Sequence, residues 1–441
     1  MRDILLTLIL IGLVPVILRS PVAGALAWAW VAVMSPHRMA FGFAASLPFA
    51  QIVAILTFIS YFINQKKHAL PMSGGTVLLI GLMIWMTISS IFSINEPEQV
   101  WNRWLFVAKI NVMLLFTLMI LRGRKEIEML IWVIVASIGY FGVKGGLWTI
   151  IAGGTNHVYG PPGGMLLDNN AFAVGLIIIL PLMYYLQQVA SDRRIRWALL
   201  ISMVLCVFSI LGSQSRGGLL GLLAVVSMLG LKSKYPVRSL VVLSALVLIG
   251  VAFMPDSWTQ RMDTIQGYEG DSSAMSRLWT WTTLWNVAVA RPFVGAGYGA
   301  ENPMIFMNYA PIGPQYEVFQ GKAWVAHSIY FQALGEHGFP GLFLYLALGL
   351  WIWFAAGSIA RKAQLHPELA AWMPLLMRMV QTSLLGFAVG GAFLSLMNLD
   401  VPYYLMAFVV LAQLILRENV KKLSAVKNSH NKMSARRQLQ Q

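Results

Sequence analysis

The chain has 441 residues, 58% of them hydrophobic and 11% charged, with a net charge of +15 and a mean hydropathy of +0.69. A soluble domain carries about 25% charged residues, so soluble globular, disordered, collagen-like and coiled-coil classes are excluded. A polytopic membrane protein remains. Its apolar runs of roughly 15–25 residues are too long and too continuous for barrel strands, so the expected fold is all-α.

In chain order, two shorter apolar runs, 4–18 and 22–34, come first and are split by Arg19 and Pro21. Eleven segments follow, at 42–63, 75–94, 104–121, 128–152, 171–190, 197–213, 217–231, 239–254, 340–358, 376–397 and 401–417. Positive clusters lie between them: Lys66-Lys67, Arg122 with Arg124-Lys125, Arg193-Arg194 with Arg196, Lys232 with Lys234 and Arg238, and Arg361-Lys362. The tail adds Lys421, Lys422, Lys427, Lys432, Arg436 and Arg437. Lys and Arg are retained on the cytoplasmic side. With these clusters inside, the eleven segments alternate without conflict. Residues 95–103, 153–170, 214–216, 255–339 and 398–400 then face out. Reading 4–34 as one broken or re-entrant crossing puts both termini inside and gives about twelve transmembrane helices. Two crossings there would put Met1 outside. The leading run is expected to be retained, because no small-residue cleavage site precedes a soluble domain.

The single cysteine, Cys206, sits in an apolar run, which leaves no intramolecular disulfide and no cysteine metal site. The positive charge is accounted for by cytoplasmic anchoring, so no nucleic acid is expected as a partner. No internal repeat stands out, which weighs against a transporter. The longest loop, 255–339, is on the outer side, so the work of the protein is expected at that interface.

Arg216 lies in the tight outer turn Ser213-Gln214-Ser215-Arg216-Gly217-Gly218. Arginine at a helix end often snorkels to headgroups. Here it stands on the side where arginine is disfavoured, beside glycines that permit close approach, and a membrane-embedded ionisable group is functional by default. In the long loop, Leu278, Trp281, Trp285 and Ala288 recur at three- to four-residue spacing, which predicts an amphipathic helix anchored in the interface by tryptophan. Arg277 falls on the other face, in the expected first turn, where backbone N–H groups favour a phosphate. The run Pro292–Gly299 reads as a Gly-rich turn and Arg291 as structural.

His327-Ser328 precedes a stretch, 328–337, that forms one short helix ended by Gly338 and Pro340. His327 would stand at its N-terminus, suited to general-base work near neutral pH. His337, at the other end, competes for that role, and a lone histidine is as readily a structural hydrogen-bonding residue. Asp168-Asn169-Asn170 begins an apolar segment, where a helix cap is the simple reading of Asp168 and Asn170. Asp400 lies in an outer turn and either pairs with an arginine or the histidine, or is a plain turn residue. There is no Walker loop and no paired-Asp motif. Two outer arginines suit a doubly charged phosphate, which guanidinium binds in bidentate fashion. A polyprenyl pyrophosphate, with its tail in the bilayer, fits such a site.

The His327-Ser328-x9-Gly338-x2-Gly341 motif, the Ser215-Arg216 turn, the Ser276-Arg277 segment and the long outer loop resemble the O-antigen ligase and polymerase superfamily. The resemblance covers about 160–417, and the N-terminal third is similar to the branch of O-glycosylation ligases. It implies a GT-C-like arrangement: N-terminal helices over 1–159, a core over 160–417 that includes periplasmic loop 255–339, and a basic cytoplasmic tail over 418–441. It also implies a multi-pass protein of the bacterial inner membrane with its site facing the periplasm. The implied donor is an undecaprenyl-pyrophosphate-linked glycan, and the acceptor lipid A-core or a protein hydroxyl, with membrane lipids as surroundings.

By the same resemblance, functional residues match Arg216, Arg277 and His327, with Asp400 a looser match. Asp168 and Asn170 resemble an Asp-Pro-Asn helix start in which Asn169 replaces Pro. The expected reaction is inverting glycosyl transfer with no metal and no cofactor. Arg216 and Arg277 grip pyrophosphate, while His327 takes or orients the acceptor proton. The rival readings are a protein O-oligosaccharyltransferase, a Wzy-type polymerase, and a twelve-helix transporter or flippase. The last predicts embedded charges, for which Lys109 and Lys144 are the candidates.

Overall fold

The computed structural model describes residues 1–64, 67–233, 235–263 and 272–438. Lys66, Lys234 and segment 264–271 of the long loop lie outside the described residues, as do the side chains of Lys427, Lys432, Arg436 and Arg437. The protein is an all-α polytopic membrane protein, with no strand among the described residues. Among the described residues, eight helices are long and apolar enough to span a bilayer, and four shorter apolar helices, which do not include the first helix of the chain, accompany them.

The first helices are α1 (Arg2–Arg19), α2 (Pro21–Met34), α3 (Phe49–Ile63), α4 (Gly74–Ile91), α5 (Pro97–Ile120) and α6 (Arg124–Ile151). The two N-terminal runs differ from the single broken crossing suggested by the sequence. Ser20 ends α1 in extended backbone and caps α2, where Pro21 is the first residue, so the Ser-Pro pair turns the chain rather than kinking it. One Asp3 carboxylate oxygen accepts the N–H groups of Gly42 and Ala44, at 3.0 and 3.1 Å. The chain leaving α2 thus returns to the start of α1, and the two helices are antiparallel. Met1 and residues 35–48 share one end of the bundle.

The core follows: α7 (Asn169–Val189), α8 (Arg193–Gly212), α9 (Arg216–Leu231) and α10 (Pro236–Ala252). The α7 helix is apolar all round, and Phe172, Ile177, Ile178 and Ile179 are fully buried. A helix of that pattern belongs at the centre of a bundle. Glycines set the spacing of its neighbours. A Cβ on Gly145 would stand 2.5 Å from Ser209 Oγ, and one on Gly146 would overlap the Leu205 carbonyl. The α6–α8 contact is therefore backbone against backbone, as small residues allow between membrane helices.

The long connection carries α11 (Asp256–Asp263), α12 (Ser272–Ala290) and α13 (Pro303–Tyr309). Next comes α14 (Ile329–Gln364), broken at Gly338, where φ is 69° and ψ −171°. The chain ends with α15 (Pro367–Ala370), α16 (Met373–Gly390) and α17 (Asp400–Gln438). The break at Gly338 coincides with the predicted end of the 328–337 helix. The Gly-rich turn covers that break: Ala296 and Gly297 donate to the carbonyls of Gly335 and Glu336, both at 2.8 Å, and Phe339 donates to Pro292 O at 2.9 Å. Carbonyls stranded by the kink and by Pro340 are satisfied this way. Arg291 binds the carbonyls of Gly295, at 2.6 Å, and Phe92, the structural role expected of it.

The predicted alternation places the connections at two ends. Val158 donates to Gly212 O at 3.1 Å, Ile94 to Ala296 O at 3.1 Å, and Arg38 packs on Gly163. Residues 35–48, 92–96, 153–168, 213–215 and the described part of the long connection thus form one end. At the other, basic end, Arg122 Nη2 donates to Ala69 O at 2.8 Å and Tyr185 donates to Glu128 at 2.9 Å.

Candidate functional site

The turn between α8 and α9 is built by small polar residues. Gln214 takes a left-handed conformation, φ 55°. Ser215 caps α9, its hydroxyl accepting the Gly218 N–H at 3.0 Å. Arg216 is the first residue of the helix. Gly217 and Gly218 are buried against α16 and α7: a Cβ on Gly218 would stand 2.8 Å from Ala173 Cβ, and one on Gly217 3.5 Å from the Gly390 carbonyl. The glycine pair therefore serves helix approach and holds Arg216 at the meeting point of α7, α9 and α16.

Asp168 caps α7, accepting the N–H groups of Asn170 and Ala171 at 2.9 and 3.2 Å. The simple reading of Asp168 thus holds as far as the backbone goes. Asn169, which the sequence did not single out, donates from Nδ2 to Ser213 O at 2.7 Å and ties the start of α7 to the Arg216 turn. Asn170 hydrogen-bonds Asn169 at 3.2 Å.

His327 directly precedes Ser328, the cap of α14. Its backbone is left-handed, φ 45°, and its N–H donates to Ser395 Oγ at 2.8 Å. Three non-glycine residues among those described have positive φ, Ser35, Gln214 and His327. Two of them are a predicted site residue and the residue two before another. Such strain persists where the surroundings over-determine it, and it concentrates at functional sites. The His327 imidazole is held below its ordinary pKa of 6.5, first by burial and then by the positive charge of Arg277, with Asp168 acting in the opposite sense. Arg277 and Asp168 are therefore both close enough to bear on its charge.

Arg277 reaches this place through α12. It stands in the second turn of that helix, not the first as expected, because α12 begins at Ser272. Trp279 and Trp281 position the helix against protein, where lipid anchoring was expected of them. Trp281 donates to Ala326 O at 2.8 Å and stacks on Phe331, with centroids 5.1 Å apart. Trp279 is buried against Phe306 and Phe319. Trp285 remains half-exposed. Trp281, one turn beyond Arg277, thus clips α12 to the residue next to His327. Arg216, Arg277 and His327 each make contacts within the protein.

Two predicted residues lie elsewhere. His337 is fully buried on the far side of the short helix, with Nδ1 2.6 Å from Ser89 Oγ and its ring edge-on to Tyr298. Its carbonyl accepts the Trp85 indole N–H at 3.0 Å. These bonds fasten α14 to α4. Asp400 is buried at the start of α17 and lines a cavity of about 780 Å³ with Arg38, Lys109 and many apolar side chains. Lys144 is exposed on α6. The described residues contain no cluster of His, Cys, Asp or Glu suited to a metal.

Comparison with known families gives two matches. Residues 201–346 match the O-Antigen ligase family, and residues 1–191 match a family of unknown function, DUF5935. The ligase match begins within α8, and Arg216, Arg277 and His327 all lie in it. No curated protein matches the chain.

Proposed function

We propose, from the match of residues 201–346 to the O-Antigen ligase family, that the chain is a ligase of that kind and transfers a glycan from undecaprenyl pyrophosphate to a lipid A-core hydroxyl at the periplasmic face of the inner membrane. The observation that carries the reading is the left-handed turn at His327, φ 45°, fixed by its N–H bond to Ser395, which sets the imidazole within reach of the Arg277 charge that helps hold it below its ordinary pKa. A neutral histidine beside a guanidinium joins a proton acceptor to an anion binder. The acceptor hydroxyl gives its proton to His327 as its oxygen attacks the anomeric carbon. The bond from that carbon to the phosphate oxygen breaks, and undecaprenyl pyrophosphate leaves with its electron pair. Arg277 and Arg216 stabilise the charge gathering on the leaving group, which needs no enzyme nucleophile and no metal. Attack from the face opposite the leaving group inverts the anomeric centre. The large cavity, apolar over most of its wall, suits the polyprenyl tail.

The test is the purified protein in detergent with undecaprenyl-pyrophosphate glycan, lipid A-core and EDTA. A mobility ladder on the acceptor is the expected result. Longer lipid-linked glycan with untouched acceptor would make it a Wzy-type polymerase. No transfer of either kind would overturn the reading.

A further inference from the structure

A second cavity, of about 280 Å³, adjoins the His327 turn. Ala326 and Ser395 both line it, the neighbour of His327 and the residue that accepts its N–H. It meets the large apolar cavity at Phe106 and Met165, which line both. Its polar wall joins the two halves of the chain. Arg103 of α5 ion-pairs with Glu301 and stands 4.0 Å from Glu336.

Glu336 is the telling residue. Its side chain is only 2% exposed. Its partners are the Gly299 N–H at 3.3 Å, Gln332 Nε2 at 3.5 Å, His337 Nε2 at 3.9 Å and Arg103. All are longer than the usual 2.7–3.2 Å of an N–H···O bond. A buried carboxyl held so loosely costs free energy unless something else bonds to it. In the same lining, Asn398 Oδ1 is buried and has no hydrogen-bond partner. Trp324 stands at the rim, 37% exposed.

Buried acceptors facing a cavity call for a ligand that donates hydrogen bonds, and an exposed indole calls for one with an apolar face. A pyranose has both: hydroxyls for Glu336 and Asn398, and a C–H face to lie on Trp324. A phosphate does not fit, since Glu301 already pairs with Arg103 and leaves no free positive charge in the lining. We infer that this cavity is a sugar subsite that holds one pyranose of a glycan substrate beside His327. The inference rests on the glycan-transfer reading, but its test does not need transfer.

Saturation-transfer difference NMR on the full chain in detergent, with the methyl glycosides of glucose, galactose, N-acetylglucosamine and heptose as probes, reads the subsite directly. At least one probe should be saturated by the wild type. Trp324→Ala and Glu336→Gln should weaken it tenfold or more, while Arg277→Ala and His327→Ala keep it. Trp324 is at the rim, so its variant tests the subsite even if Glu336→Gln fails to fold. No saturation by any probe, or equal saturation in wild type and Trp324→Ala, would overturn the subsite. Saturation lost in Trp324→Ala, in a protein that transfers no glycan, would support the subsite and overturn the transfer reading alone.

Discussion

The His327 N–H donates to Ser395 Oγ at 2.8 Å, across 68 residues of chain. Ser395 follows the 3₁₀ turn Gly391–Phe393, and Phe393 packs on Gly217, beside Arg216. One short segment after α16 therefore sets the position of both His327 and the Arg216 turn.

Ser395→Ala should lower kcat about fivefold to tenfold with KM unchanged, since one neutral hydrogen bond is worth about 1 kcal/mol. Ser395→Thr, which keeps the hydroxyl, should restore the rate. Steady-state kinetics on the three proteins checks this. Equal rates in Ser and Ala forms would remove Ser395 from the account.

Arg277→Ala and Arg216→Ala should each lower transfer on the order of 10²–10³-fold, the size of losing one electrostatic contact to a developing charge. Lysine at either place should recover only part, because the bidentate grip is gone. Thermal unfolding in detergent should stay close to wild type for Arg277→Ala.

The pH profile follows from the direction of the His327 shift. Burial and Arg277 hold its pKa below 6.5, so the neutral base persists as pH falls through 6.5, and transfer should fail only below that. Removing the Arg277 charge favours protonation. The acid limb of Arg277→Ala should therefore move to higher pH. Between the depressed pKa and 6.5 the unfolded chain binds the extra proton, so this group's contribution makes stability fall as pH drops through that window. An acid limb that moved down in Arg277→Ala would contradict the pairing.

Gly338→Ala should destabilise the protein by about 1–3 kcal/mol, the range for a residue forced into a sparsely populated backbone region. Its φ is 69°, and a Cβ there would overlap the Phe293 carbonyl. The loss should appear as a lower unfolding temperature in detergent. An unchanged temperature would mean that the Gly-rich turn gives way freely.

Apolar runs made the bundle legible, because each helix must bury its own backbone bonds in lipid. Helix ends were less so. The α5 helix starts at Pro97, where the apolar run begins at 104, because Glu98 and Arg103 extend it past the apolar limit. Glycine and proline spacing gave the short helix after His327 and the turn that covers Gly338. Trp279 and Trp281 of α12 misled, because spacing alone does not distinguish a lipid face from a protein face, and the facing residues Phe306, Phe319 and Phe331 are distant in sequence. Ser395 carries no local signal. Asn169 lay inside a run already noted, and Glu336 between the two halves of the histidine motif, but their roles depend on pairings with residues 213 and 103 that only folding brings about.

The most direct test of the central claim is glycan transfer by purified His327→Asn. Asparagine tolerates the left-handed backbone at this position but cannot take a proton at neutral pH. The account predicts a folded protein that binds lipid-linked glycan yet adds none to lipid A-core. Transfer at the wild-type rate by that variant would contradict it.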